Sequence, residues 1–108
     1  MDTIQILAQA NPNAGILTTF YTVPVATSTV ASSIIVCNIS SSGDQFSISI
    51  AVGGATDTPE QYLFYTTPIE TNDTFIATIG ITLATTDQVR VWSLNGGLAF
   101  NLLGVQIT

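Results

Sequence analysis

The segment 72–93 alternates apolar and polar side chains with a period of two residues. Its first half has an apolar residue at every second position: Phe75, Ala77, Ile79, Ile81 and Leu83. Threonine takes most of the positions between them. The pattern stops at Thr85-Thr86-Asp87 and resumes at Val89 and Val91. A period of two is typical of a β-strand with one buried face. We therefore predict two antiparallel strands joined by a short polar turn.

The rest of the chain repeats this pattern. Alternating or β-branched runs are separated by turn-forming clusters, and no helical period occurs. The other predicted strands cover residues 16–23, 27–40, 45–52, 61–66 and 98–108, with a first strand or arm before residue 11. About eight strands at this turn spacing predict an all-β fold, a single antiparallel β-sandwich over residues 1–108. A jelly-roll is favoured, and an immunoglobulin-like strand order is the alternative.

Three of these strands carry features beyond simple alternation. Residues 34–37 are apolar in succession, which favours a central strand with both faces covered and a buried Cys37 thiol acting as a small hydrophobe. The run 62–65 has large side chains on both faces, so we expect one face to contact something other than water. In the last strand the apolar phase changes near Gly104, which predicts a β-bulge there.

The first ten residues allow two interpretations. Ile4 and Ile6 alternate with polar residues, Leu7 follows, and the breaker-rich segment 11–15 separates all three from the body of the chain. Residues 1–15 are therefore either an arm or an ordinary first strand. We predict that residues 1–10 contact a partner chain, so that their deletion would weaken assembly and leave the fold intact.

The chain is poor in charge, and this excludes two classes of partner. Charged residues make up 7% of it, lysine and histidine are absent, Arg90 is the sole cation and the net charge is −6. Nucleic-acid binding and attraction to anionic membranes both need several cations, so neither is expected. No apolar run reaches the ~20 residues that span a bilayer. Met1-Asp2 begins neither a basic nor an apolar signal region, so we expect synthesis in a cytoplasm.

The residue types required by most catalytic devices are missing. Without histidine or lysine, a nucleophile such as Cys37 has no base, and zinc lacks its usual ligands. A single cysteine also excludes an intramolecular disulfide. We therefore predict no enzyme activity, no cofactor and no metal site.

Two weaker chemical alternatives remain. The pairs Asp57 with Glu60 and Glu70 with Asp73 could act as glycosidase carboxylates or hold Ca²⁺, although solvated acids in turns are the favoured interpretation. Trp92 and the tyrosines could stack on sugars, although packing in a core or an interface is their commoner role.

Several strand and turn segments carry a resemblance to a known group of proteins. They are Tyr21-Thr22-Val23-Pro24, Ile35-Val36-Cys37-Asn38, Asn72-Asp73-Thr74 with Gly80-Ile81-Thr82-Leu83, Asp87-Gln88-Val89-Arg90-Val91 and Phe100-Asn101-Leu102-Leu103-Gly104-Val105. Through them the chain from residue 20 onward, about four-fifths of its length, resembles small virion proteins of tailed bacteriophages. The resemblance implies a protein that decorates or cements the capsid, or a domain of a tail fibre, without catalytic residues.

We accordingly predict a decoration or cement protein on the capsid exterior that bridges neighbouring major capsid proteins. The alternative is a receptor-binding tail-fibre domain that grips host surface glycans. One cation and seven acids are few charged residues for the surface of a monomer, and the chain has no lysine to prevent unwanted pairing at the edges of its sheets. We therefore also predict a homo-oligomer, with a trimer favoured and a dimer as the second choice. The predicted partner contacts are Ile4, Ile6, Leu7, Phe20, Tyr21, Tyr62 and Tyr65.

Overall fold

The computed structural model describes residues 4–108, and most of them lie in β-strands. The strands are β1 (Gln5–Ala10), β2 (Thr18–Thr22), β3 (Ser28–Asn38), β4 (Asp44–Ala51), β5 (Tyr62–Ile69), β6 (Thr74–Leu83), β7 (Gln88–Ser93) and β8 (Leu98–Ile107). Two short 3₁₀ turns, Val52–Gly54 and Pro59–Gln61, lie in the connection between β4 and β5. Within the described residues, no helix has the length and apolar character needed to cross a membrane.

The strands form two four-stranded antiparallel sheets that pack face to face. Sheet A has the order β1-β8-β3-β6, and sheet B has the order β2-β7-β4-β5. The first strand pairs with the eighth, the second with the seventh, the third with the sixth and the fourth with the fifth. One long hairpin rolled up on itself produces this set of pairs, which is the jelly-roll. The predicted β-sandwich is confirmed, and its strand order differs from the immunoglobulin-like alternative.

The core lies where the alternation predicted it. The inward positions of β6 are Phe75, Ala77, Ile79, Ile81 and Leu83. Phe46 of β4 is fully buried, and its ring centroid lies 5.2 Å from that of Phe75 and 6.5 Å from that of Phe100. Since Phe75 and Phe100 belong to sheet A and Phe46 to sheet B, these contacts hold the two sheets together.

A buried carboxylate fixes the turn between β7 and β8. Asp44, at the start of β4, accepts hydrogen bonds from the Ser93 hydroxyl at 3.0 Å and from the backbone N–H groups of Asn95 at 2.9 Å and Gly97 at 3.1 Å. The Asn95-Gly96-Gly97 turn is therefore held by a side chain from a distant strand. Asn-Gly is a strong hairpin signal, but this turn links β7 of sheet B to β8 of sheet A and forms no hairpin. The turn between β6 and β7 also crosses between the sheets, so the predicted antiparallel pairing of those two strands is wrong.

The N-terminal segment is an edge strand of sheet A. β1 pairs with β8, which is the ordinary first-strand interpretation, and residues 1–3 of the predicted arm lie outside the described residues. The register shifts between Ile6 and Ala8, so Leu7 is an extra residue, and its side chain packs against the core. A Cβ atom added at Gly104 would lie 2.9 Å from Leu7 Cδ1. The backbone carbonyl oxygen of Val30 lies closer still to that position, so the β3 backbone and then Leu7 occupy the space that a side chain at Gly104 would need.

The bulge predicted in the last strand lies in its neighbours instead. β8 keeps an unbroken alternation from Leu98 to Val105, and the extra residues are Leu7 in β1 and Ser32 in β3. Gly104 faces inward without a side chain, so its neighbours Leu103 and Val105 face outward. The apparent change of phase in the sequence thus reflects a missing side chain.

β3 lies centrally in sheet A, between β8 and β6, as predicted from residues 34–37. Ile34 and Val36 are buried, whereas Ile35 and Cys37 lie on the opposite side of the strand and are half-buried. The prediction that both faces are covered and that the Cys37 thiol is buried is wrong for the single chain. The apolar run continues onto the outer surface of sheet A.

Candidate functional site

The outer side of sheet A is free of charge across its width. Alternation and pairing register place these side chains outward: Ile6, Gln9, Ala99, Asn101, Leu103, Val105, Ile107, Val30, Ser33, Ile35, Cys37, Ile76, Thr78 and Thr82. Gln9 and Asn101 are joined across the strands by a 2.7 Å hydrogen bond from Nε2 to Oδ1. None of the outward side chains that sheet A presents within residues 4–108 is charged. We call this surface the uncharged face.

The rows of side chains across the uncharged face mix apolar and neutral polar residues. Ile35 of β3 lies between Asn101 of β8 and Ile76 of β6, and the next row brings Leu103 beside Ile6. Ile6 is 58% exposed and Ile76 is 62% exposed, at opposite edges of the sheet. Four strands spaced ~4.8 Å apart give this face roughly 600 Å². That is somewhat less than the ~800 Å² that one partner contributes to a standard protein–protein interface, so the uncharged face is large enough for a small contact.

The predicted partner contacts do not form one surface. Ile4 and Ile6 are exposed at the β1 edge, whereas Leu7 packs against the core. Tyr62 and Tyr65 lie on β5, in the other sheet. The uncharged face therefore includes Ile6 and excludes the two tyrosines.

Phe20 and Tyr21 are core residues. Their side chains are 9% and 8% exposed. The register between β2 and β7 shifts between Thr19 and Tyr21, so Phe20 is an extra residue and two consecutive aromatic side chains point inward. The Tyr21 hydroxyl lies 2.9 Å from Thr29 Oγ1 and accepts a 2.6 Å hydrogen bond from Gln106 Nε2. The structure therefore removes both residues from the predicted partner contacts.

A cleft of ≈ 640 Å³ opens beside the first half of β5. It is lined by Asp57, Thr58, Pro59, Tyr62 and Tyr65. The first three residues come from the β4–β5 connection, and the tyrosines come from the strand. We call this cavity the aromatic cleft.

The connection that forms one wall of the aromatic cleft is tied to β7. Arg90 Nη2 donates hydrogen bonds to the Gly54 carbonyl at 3.3 Å and to Gln88 Oε1 at 3.0 Å. The Gly53 N–H donates a 2.8 Å hydrogen bond to Oδ1 of the buried Asp87. The sole arginine is thus engaged in fixing the connection, which positions the wall before any ligand arrives.

An irregular backbone brings the two tyrosines together. Residues three apart on a regular strand point to opposite sides, but the register of β5 against β4 shifts twice. The rings of Tyr62 and Tyr65 therefore meet with centroids 5.1 Å apart and planes at 80°. Thr66 has φ 45°, which costs a β-branched residue on the order of 1–3 kcal/mol. Its N–H donates a 2.9 Å hydrogen bond to Oγ of Ser47, which is 2% exposed, so a buried group holds the distortion in place.

A hydrogen bond joins the two walls of the aromatic cleft. The Tyr62 hydroxyl donates to Asp57 Oδ2 at 3.0 Å. Burial, and then this hydrogen bond, raises the pKa of Tyr62 above its ordinary value of 10.0, so the phenol stays protonated at neutral pH. Asp57 Oδ1 accepts no hydrogen bond from any of residues 4–108, and Tyr65 is 69% exposed. An aromatic ring and a carboxylate oxygen are therefore both available to a ligand.

A smaller cavity of ≈ 200 Å³ borders the same tyrosine pair. Ser47, Thr66 and Trp92 complete its lining. Trp92 follows the buried Val91 on β7, so it lies on the outer side of sheet B. The tyrosine pair is thus on the side of the sandwich opposite the uncharged face.

The sequence identified the aromatic residues of the cleft but not their arrangement. Tyr62 and Tyr65 were expected on opposite faces of a regular strand, and only the shifts against β4 place them together. Asp57 was paired in the sequence with Glu60, whereas its side chain bonds Tyr62. Strand irregularity depends on the partner strand, so the local apolar pattern gave no signal for it.

No protein-family model matches the chain, and no curated protein is significantly similar to it in sequence.

Proposed function

We propose that the protein is a decoration or cement protein of a tailed-bacteriophage capsid, which binds the exterior of the major capsid protein through the uncharged face. The absence of charge across the outward side chains of sheet A within residues 4–108 is the observation that carries the proposal. Exposed isoleucines on such a surface are unfavourable in water and are stabilised when a permanent partner covers them.

Two further considerations support this proposal. The chain resembles small phage virion proteins through the segments quoted above. Jelly-roll domains also occur in viral capsids, although the fold occurs in lectins too and does not by itself define a function.

The proposed decoration protein is a homo-oligomer, with three copies favoured and two as the alternative. β1 and β6 are the edges of sheet A, and β2 and β5 are the edges of sheet B. No lysine discourages further pairing at these edges, and closed symmetry would hide them. Contacts through the edges would leave the uncharged face to the capsid. Three copies suit the threefold positions of an icosahedral shell.

Binding of the purified chain to capsids that lack it tests the proposed contact. Ile76→Lys places a charge at an exposed position of the uncharged face, and Thr22→Lys places the same charge at an exposed position of the opposite sheet. We expect wild type and Thr22→Lys to sediment with the capsids, and Ile76→Lys to bind about tenfold more weakly or worse. Equal binding by the two variants would show that the uncharged face takes no part in capsid binding. Failure of the wild type to bind would contradict the capsid function.

Light scattering coupled to size exclusion tests the oligomer separately. The proposal predicts a mass of three times the 11.3 kDa of one chain. A mass near that of one chain at micromolar concentration would contradict it.

A tail-fibre domain that binds host surface glycans is the second candidate function. The exposed tyrosine and free carboxylate oxygen of the aromatic cleft are the observation that favours it. Location of the chain at the phage tail would favour this candidate, and location on the capsid shell would favour the first.

A further inference from the structure

The aromatic cleft is free when the uncharged face is covered. The tyrosine pair shares a cavity with Trp92 on the outer side of sheet B, whereas the uncharged face is the outer side of sheet A. A capsid bound to sheet A would therefore leave the cleft open to solvent. The cleft residues have no part in the proposed capsid contact.

We infer that the aromatic cleft is a binding site for a neutral oligosaccharide, with a sugar ring stacked on Tyr65 and a sugar hydroxyl donating to Oδ1 of Asp57. Sugar rings present apolar C–H groups on one face and hydroxyls around the rim. Tyr65 offers an exposed ring to the first, and Asp57 offers a free acceptor to the second. A cavity of ≈ 640 Å³ lies within the usual size range of small-ligand sites.

The charges around the cleft select a neutral sugar. Asp57 lines the cleft, and the exposed Glu60 is close to it in the same connection. Arg90, the only cation of the sequence, is engaged with Gly54 and Gln88. Hydrogen bonds to these neutral groups leave the Arg90 charge in place, but the two carboxylates outnumber it. Carboxylated or sulfated sugars would therefore meet net repulsion, and single-stranded nucleic acid, which also stacks on aromatic rings, would find one cation where it needs several.

The cleft is prearranged for binding. Tyr62 is held by Asp57 at 3.0 Å and by the ring of Tyr65 at 5.1 Å. The backbone after Tyr65 adopts a strained conformation at Thr66, and the buried Ser47 maintains it. Strained residues of this kind concentrate at ligand sites, and a fixed aromatic platform loses little freedom when a ligand binds.

Saturation-transfer NMR and calorimetry on the full chain test the inference. The probes are neutral trisaccharides of glucose, galactose, mannose and N-acetylglucosamine, together with trigalacturonic acid as an anionic comparison. The variants are Tyr65→Ala, Tyr65→Phe and Asp57→Asn, and Ile76→Ala on the uncharged face is the control. Because Tyr65 and Asp57 are both exposed, each variant should keep the fold, which circular dichroism verifies.

We expect at least one neutral trisaccharide to bind and trigalacturonic acid to bind more weakly. Tyr65→Ala and Asp57→Asn should each weaken binding about three- to tenfold, whereas Tyr65→Phe and Ile76→Ala should stay close to wild type. The inference is overturned if no neutral probe binds, if the anionic probe binds best, or if Tyr65→Ala leaves the affinity unchanged. It is also overturned if Tyr65→Ala lowers the oligomer mass instead, since a second copy would then occupy the cleft. Sugar binding and capsid binding are measured separately, so either result can fail alone.

Discussion

The backbone N–H of Thr66 donates a 2.9 Å hydrogen bond to Oγ of Ser47, and it does so from a residue with φ 45°. Ser47 lies on the outer side of β4 and is nevertheless buried, beneath the tyrosines and Trp92 that share its cavity. The hydrogen bond therefore couples an unfavourable backbone conformation in β5 to a fixed position in β4. This coupling sets the direction of the tyrosine pair.

Substitution of Thr66 by glycine tests whether the backbone there is strained. Glycine adopts positive φ without a steric cost, so Thr66→Gly should be neutral or stabilising by up to ~1 kcal/mol. Thr82, which is exposed in β6 and has no positive φ, provides the matched control. Thr82→Gly should destabilise the protein by about 1 kcal/mol. Urea unfolding followed by Trp92 fluorescence measures both changes, and equal losses at the two positions would refute the strain.

The folded protein should lose stability in alkaline solution as Tyr62 ionises. Burial, followed by the hydrogen bond to Asp57, raises the pKa of Tyr62 in the folded chain above 10.0. The folded state therefore holds the phenolic proton more tightly than the unfolded state does. Its contribution to stability is complete below about pH 10 and is lost as the pH rises through the folded pKa.

The comparison of Tyr62→Phe with wild type checks this sign. Between about pH 9.5 and 11.5, the melting temperature of wild type should fall more steeply than that of Tyr62→Phe. Parallel curves for wild type and Tyr62→Phe would show that Tyr62 titrates alike in both states.

Replacement of Asp44 by asparagine, which has nearly the same shape, should lower the stability of the fold strongly. Its carboxylate accepts hydrogen bonds from Ser93, Asn95 and Gly97 while it is 4% exposed. Asp44→Asn turns one acceptor oxygen into a donor that faces other donors, so we expect a loss of about 2–4 kcal/mol in the free energy of unfolding. Glu70→Gln, at an exposed site, should stay within about 0.5 kcal/mol of wild type. Chemical denaturation of both variants measures the difference, and equal effects would contradict the role of Asp44.

Deletion of residues 1–10 should destabilise the fold. β1 supplies Leu7, Ala8 and Ala10 to the core and covers one edge of β8. We expect a loss of about 3 kcal/mol or more, seen as a lower melting temperature. This differs from the outcome expected for a separate arm, which would leave the fold intact. Ile6→Lys, at a position 58% exposed, is the control that should keep the melting temperature. An unchanged melting temperature in the truncated chain would instead support the interpretation of this segment as a separate arm.

The sequence predicted the elements better than it predicted their irregularities. Regular alternation from Phe75 to Leu83 gave the inward face of β6 correctly, and Asn95-Gly96 marked the turn before β8. The hairpin that this turn signal predicts does not form, because β7 and β8 lie in different sheets. Strand number and turn spacing predicted the β-sandwich, and the jelly-roll, which was favoured over an immunoglobulin-like order, is the strand order observed.

The predictions of side-chain burial fail at β-bulges and at β3, whose outer side is not covered by another part of the chain. Phe20 and Leu7 are extra residues in their strands, and each turns a side chain inward that alternation would place outside. A bulge is defined by pairing with another strand, so a local pattern cannot locate it. Cys37 was expected to be buried because an apolar run suggests cover on both faces, whereas the cover on the uncharged face would have to come from another chain.

Cryo-electron microscopy of the proposed parent phage particle tests the central claim most directly. We predict jelly-roll density on the outside of the capsid lattice, arranged around threefold positions. The uncharged face, with Ile35 and Ile76, should lie against the major capsid protein, and Tyr65 should face solvent. Density at a tail tip, or on the capsid with the uncharged face directed to solvent, would contradict the account.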